Sequence, residues 1–212
     1  MRTKKIGTFL MLLGGALIIS ALLLFSYNLF EARSAQKASA QVLSVIQKEV
    51  PRQEPFLDPV PEPAEHRNPY DYEMTELNID GYNYIGYLTI PSLDLELPVM
   101  SQWDYTRLRI APCRQMGSTK SDDLVIAGHN YRQHFGNLHK LSCGELIYFT
   151  DMDGIVSYYE IGEINVISPY SAELIETSPW DIILYTCTYG GKERVMLGAA
   201  RLSPQQLLDR IG

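Results

Sequence analysis

Between Ile6 and Phe30 no side chain is charged, and Leu, Ile, Ala, Met, Phe and Gly fill most positions. At about 1.5 Å rise per residue such a run spans a bilayer with some tilt, so the pattern predicts a transmembrane helix. Glu31 to Val50 is mixed: Val42, Leu43, Val45 and Ile46 offer a small apolar stripe on a polar helix, which reads as a stalk leaving the membrane. Between Pro51 and Asp80, Pro51, Pro55, Pro59, Pro61, Pro63 and Pro69 break any helix or central strand, and the segment reads as a linker.

From Tyr84 onward the apolar runs become short, β-branched and bounded by turn residues. Strands are predicted over 84–90, 93–99, 123–127, 145–150, 155–161, 163–168, 182–189 and 193–202. About eight short strands at this spacing suggest a mostly β fold, a closed or nearly closed barrel rather than alternating βαβ units. Short helices are predicted at 105–110, 137–141 and 204–211, the last with Ser203 as N-cap and Pro204 at its first position. The organisation expected is a cytoplasmic 1–5, a transmembrane anchor over 6–30, a stalk and linker over 31–80 and one folded domain over 81–212.

Arg2, Lys4 and Lys5 before the apolar run favour a cytoplasmic N-terminus, which puts the folded domain outside the cell membrane. Ala38-Ser39-Ala40 looks like a signal-peptidase site, but the apolar run is longer than the roughly 7–15 residues of a signal h-region, so a retained signal anchor is expected. A formal net charge of -7 without a long basic run excludes a nucleic-acid partner, which requires clustered cations. The three cysteines, Cys113, Cys143 and Cys187, form no two-residue metal or redox spacing, although an extracytoplasmic domain leaves a Cys113–Cys143 disulfide open. His129, His134 and His139 recur every five residues, which converges on no metal, and no cofactor is expected. Asp122, Asp123, Asp151 and Asp153 leave calcium as an alternative to the ordinary reading of solvated acids.

Chemistry concentrates in the last two strands. Gly190-Gly191 suits a two-residue hairpin turn, and counting back from it opposes Tyr189 to Lys192, Thr188 to Glu193 and Cys187 to Arg194. Directly opposed residues have Cβ atoms about 4.5–5.5 Å apart, so thiol and guanidinium share one face. A strand cysteine alone is more often a small core residue, but an arginine facing it would then be a buried unpaired charge, whereas in an open groove it stays solvated. His129 follows strand 123–127 after Gly128, which lets the chain turn, and a histidine there can trade protons with a thiol and a leaving amine.

Leu184-Tyr185-Thr186-Cys187, Arg194 seven residues later and Ala127-Gly128-His129 upstream together resemble the sortase pattern. The stretches Ile85 to Pro91 and Leu97-Pro98-Val99 resemble that family's opening strands, and Phe135 to Leu141 with Gly144-Glu145 its segment after the histidine. The resemblance implies an eight-stranded sortase-type barrel behind one N-terminal transmembrane helix, on the outer face of a cell, typically Gram-positive. It implies a cysteine transpeptidase that cleaves an LPxTG-like sorting signal between Thr and Gly. Cys187 would be the nucleophile, His129 the acid and base, Arg194 the oxyanion-stabilising and substrate-positioning group, and Thr186 a groove-shaping residue. The partners implied are surface proteins with a C-terminal sorting signal and an amine acceptor, either a peptidoglycan precursor or a pilin. Residues 168–181 are too short for the helical insertion of class B sortases, and Asp58-Pro59 is followed by Val60 rather than the aromatic of a class C lid, which leaves a class A or D type. The competing readings are a tethered peptide-binding module without turnover and a cysteine peptidase that uses water.

Overall fold

The computed structural model describes residues 2–50, 73–188 and 190–211. Most of the expected linker, with Asp58-Pro59-Val60, and Tyr189 of the expected Tyr189–Lys192 pair lie outside the described residues. One long helix, α1 (Arg2–Glu49), precedes strands β1 (Leu77–Ile79), β2 (Tyr82–Ile90) and β3 (Leu95–Met100). After the short α2 (Tyr105–Leu108) come β4 (Cys113–Met116), β5 (Leu124–Ala127), β6 (Leu146–Asp151) and β7 (Val156–Ile167). Helix α3 (Ala172–Glu176), the hairpin β8 (Ile182–Cys187) and β9 (Arg194–Arg201), and α4 (Pro204–Ile211) complete the chain.

The sheet runs in the order β1-β2-β3-β4-β5-β8-β9-β7-β6, and β6 pairs back onto β2. Strands β2 to β9 therefore close an eight-stranded barrel with no free edge, and β1 is a short extra strand on β2. Alternation along each strand fills the interior. Leu124 and Ile126, Ile182 and Leu184, Val195 and Leu197 join Ile85, Leu88, Phe149 and Tyr159 in the main core. The two runs expected over 155–161 and 163–168 form the single strand β7, whose register against β9 shifts between Ile161 and Glu163. A bulge at Gly162 takes up the extra residue. Helix α4 starts where predicted, with Ser203 and Gln206 capping each other's backbone N–H groups.

The lower half of α1 is not a free stalk. Val42, Ile46 and Val50 pack with Tyr84, Tyr87, Met100, Leu108, Ala111 and Cys113 in a second core on the outside of the barrel. Ala35, Ser39, Val42, Ile46 and Val50 are all buried and recur at helical spacing, so one stripe of α1 seals this cluster. In the upper part no described residue is buried, and it is long and apolar enough to cross a membrane. The Cys113–Cys143 pairing does not occur: both thiols are free, Cys113 inside the second core and Cys143 at the surface. Burial pushes the Cys113 thiol up to about 12, which makes it inert. We expect Ile46→Ala to lower stability by about 2–4 kcal/mol in thermal unfolding of the full chain. Deleting α1 should convert Cys113 from unreactive to readily alkylated by iodoacetamide, read by peptide mass spectrometry.

Candidate active site

Strands β5, β8 and β9 lie side by side, and their registers fix which residues share a face. In the parallel β5–β8 ladder Val125 is beside Ile183 and Ala127 beside Tyr185. Just past the end of β5 the Gly128 N–H donates to the Tyr185 carbonyl at 3.0 Å and the Asn130 side chain donates to the Thr188 carbonyl at 3.4 Å, which brings the turn carrying His129 alongside the end of β8. In the antiparallel β8–β9 ladder Tyr185 opposes Met196 and Cys187 opposes Arg194. Because side chains alternate, Cys187 and Arg194 share the outer face, roughly 5 Å apart in backbone spacing, and the turn that carries His129 lies on the β5 side of Cys187. The next row is Ala127, Tyr185 and Met196.

The Cys187–Arg194 register is the one that the Gly-Gly count predicts, but the turn is not a two-residue one. Thr188 N–H donates to the Glu193 carbonyl at 2.9 Å and Gly191 N–H donates to the Thr188 carbonyl at 2.8 Å. Gly190 and Gly191 hold φ of 93° and 73°, which L-residues rarely adopt. Cys187 is partly exposed and free. The Arg194 guanidinium donates to the carbonyls of Glu193 at 3.2 Å and Gly191 at 3.4 Å, and no salt bridge to a carboxylate is found among the described residues. It is a solvated cation beside the thiol. Thr186 differs from expectation: it alternates with Cys187 onto the interior face, is 2% exposed, and its hydroxyl finds no partner among the described residues. Its side chain does not line the groove.

Gly128 also serves a different purpose from the one expected. Its φ is not in the positive region, yet a Cβ there would lie 2.3 Å from the Phe135 ring. Glycine is required because Phe135 packs under the turn, and the Phe135 N–H donates to the His129 carbonyl at 3.1 Å. Burial lowers the His129 pKa below the usual imidazole value; the Asn130 side chain and the Glu31 carboxylate oppose this and Arg109 reinforces it. At neutral pH the ring is neutral and able to accept a proton.

A third, buried apolar cluster covers the outer face of these strands. Val125, Ile183 and Met196 on the barrel face pack with Ile167 and Ile175, flanked by Met116, Trp180 and Tyr185. Trp180 lies flat on the sheet because Gly162 and Gly198 leave room for its ring, and its indole N–H donates to Glu163 at 2.8 Å. The Tyr185 hydroxyl donates to the Gln115 side chain. Beyond it opens a cleft of about 850 Å³ lined by Trp103, Gln115, Met116 and Asp123, among others.

Among the described residues no three His, Cys, Asp or Glu side chains converge. Asp122 pairs with Arg201, Asp123 accepts from Ser118 N–H, Asp151 from the Asp153 and Ile155 N–H groups, and Asp153 from Thr75. His134 is fully buried, its Nε2 3.4 Å from the Ser39 hydroxyl of α1. Burial, helped by His129, holds its pKa down to about 4, against 6.5 for a free imidazole. A neutral buried histidine contributes stability above pH 6.5 that is lost as pH falls toward 4. We expect about 3 kcal/mol to disappear across that window, and His134→Phe to flatten it, in urea titrations at stepped pH.

Comparison with known proteins bears on what Cys187, His129 and Arg194 do. The family profile described as the sortase domain matches residues 88–202. Sortase A of Bacillus anthracis is 28% identical over 121 residues, which cover 54% of this chain and 57% of that protein. The chain thus matches little more than half the length of that relative. Among solved structures, sortase C1 from Streptococcus suis superposes with a TM-score of 0.51 at 25% identity, over 57% of this chain and 73% of that one. Sortase A from Corynebacterium diphtheriae shares the fold with a TM-score of 0.53 at 24% identity, over 84% of this chain and 87% of that one.

Proposed function

Because the chain belongs to the sortase family, we propose that it is a membrane-anchored cysteine transpeptidase in which Cys187, His129 and Arg194 carry the chemistry. The observation that supports this most is the β8–β9 register, which sets Cys187 opposite Arg194, with His129 two residues beyond the Ala127–Tyr185 pair of the adjoining ladder. In the proposed reaction His129 takes the thiol proton and the Cys187 sulfur attacks the Thr–Gly carbonyl of an LPxTG-like signal. The carbonyl oxygen becomes an oxyanion, and Arg194 swings its N–H donors from the Gly191 and Glu193 carbonyls to that charge. Collapse breaks the C–N bond, His129 protonates the departing glycine amine, and a thioester remains on Cys187. An acceptor amine then attacks the thioester, gives its proton to His129 and leaves an amide, with the Cys187 sulfur as leaving group.

Thr186 takes part through its backbone, since its side chain points inward. The substrates would be surface proteins with a C-terminal sorting signal, and the acceptor a peptidoglycan precursor or pilin amine, on the extracytoplasmic side of the membrane spanned by the apolar part of α1. The connection between β7 and β8 holds only the short α3, which supports the class A or D type over class B.

The test uses the full chain in lipid nanodiscs with an LPxTG-type peptide library and triglycine, with products read by mass spectrometry. Amine-capped peptide is the expected product. Cleavage indifferent to the amine would indicate a peptidase, and no turnover of any peptide would indicate a binding module. Arg194→Ala should lower kcat by about 10²–10³-fold, the usual cost of losing an oxyanion donor. Alkylation of Cys187 by iodoacetamide should stay within about threefold of the parent in that variant, because Arg194 acts on the oxyanion.

A further inference from the structure

In many nucleophile–histidine pairs a third group orients the imidazole through its Nδ1. His129 Nδ1 is buried and has no hydrogen-bond partner among the described residues. Besides the Asn130 side chain, an aromatic face bears on the ring: Tyr131 stacks on it with centroids 3.8 Å apart and planes 16° from parallel. Tyr131 is fixed in turn, because its carbonyl accepts from the N–H groups of His134 and Gly136, both at 2.9 Å. Behind it stands α1. The Ser39 hydroxyl donates to the Ile110 carbonyl at 2.6 Å and sits beside His134, and Glu31 pairs with Arg109 at 3.6 Å. Glu31 is also close enough for its charge to act on both Tyr131 and His129.

We propose that Tyr131 is the positioning residue for His129, and that the Glu31–Ser39 stretch of the membrane-anchor helix is the wall that keeps Tyr131 in place. The proposal rests on the reading of His129 as the acid and base. Stacking restricts the imidazole to motion within its own plane and so prevents it from tilting out of that plane. The phenol hydroxyl is not needed for this; the flat face is. Losing the face leaves a ring free to tilt, and displacements of about 1 Å at a reacting group can cost up to 10²-fold in rate. The anchor helix thereby becomes part of the catalytic apparatus as well as a tether.

The test is steady-state kinetics of the full chain in nanodiscs with an LPxTG peptide and triglycine, alongside the melting temperature of each variant. Tyr131→Phe should stay within about twofold of the parent, whereas Tyr131→Leu and Tyr131→Ala should lose about ten- to a hundredfold in kcat with KM little changed. Joint replacement of Glu31 and Arg109 by alanine should lower kcat in the parent but not in Tyr131→Ala. In a His129→Ala background Tyr131→Ala should cost nothing further. Leucine matching phenylalanine, or an undiminished loss in the His129→Ala background, would overturn the proposal while leaving the role of His129 standing. Full activity of His129→Ala would overturn that role and this inference together.

Discussion

Cys187→Ala yields no amine-capped peptide under conditions where the parent chain consumes its substrate completely. The expected fall is at least about 10⁴-fold, because the route through a covalent intermediate is lost and no other described thiol can replace it. Cys113 is sealed beneath α1, and Cys143 lies at the surface with its sulfur against the Gly162 carbonyl. The substitution should leave the fold intact, since the Cys187 side chain is on the outer face and only partly covered. Peptide binding should therefore survive in the inactive variant, and a melting temperature within about 2 °C of the parent would separate lost chemistry from lost structure. Residual turnover at a tenth of the parent rate would mean that the sulfur is not the nucleophile.

His129→Ala should reduce kcat by about 10²–10⁴-fold, the usual value of a positioned acid and base. The loss must be larger for the step that expels an amine than for alkylation of the thiol. An amine is a poor leaving group without a proton, whereas iodide needs none. Burial keeps the parent imidazole below the usual pKa, so the limb of the pH profile that reports His129 should lie below that of a free histidine and be absent in the variant. Exogenous imidazole, small enough to enter the space left beside Tyr131, should restore part of the rate. A variant that keeps the parent profile with only a uniform loss would show that another group carries the proton.

Much of this site is legible in the sequence because strand alternation and hairpin register are arithmetic. Once Gly190-Gly191 marks the turn, Cys187 and Arg194 must share a face, and the ladder reproduces that pairing even though the turn bond runs from Gly191 to Thr188. What is not legible depends on tertiary partners. The stripe of Val42 and Ile46 is visible in the sequence, but nothing local says that Tyr84, Met100 and Cys113 cover it. The four-residue β4 has Arg114 and Gln115 at its centre, too polar and short to read as a strand, although it is needed to close the barrel. The role of Tyr131 is hidden among 14 tyrosines, since a stack between residues two apart requires the loop conformation that Phe135 and Gly128 enforce. Thr186 shows the limit in the other direction: the family resemblance implies a groove-shaping residue, while alternation sends its side chain inside.

The measurement that bears most directly on the central claim is acid-quench mass spectrometry of the full chain in nanodiscs, mixed with an LPxTG peptide in the absence of amine. The account predicts a mass increase equal to the peptide up to its threonine, mapped to Cys187, removed by hydroxylamine and absent from Cys187→Ala. A chain that cleaves the peptide while Cys187 stays unmodified at every time point, or an adduct mapped to another residue, would contradict it.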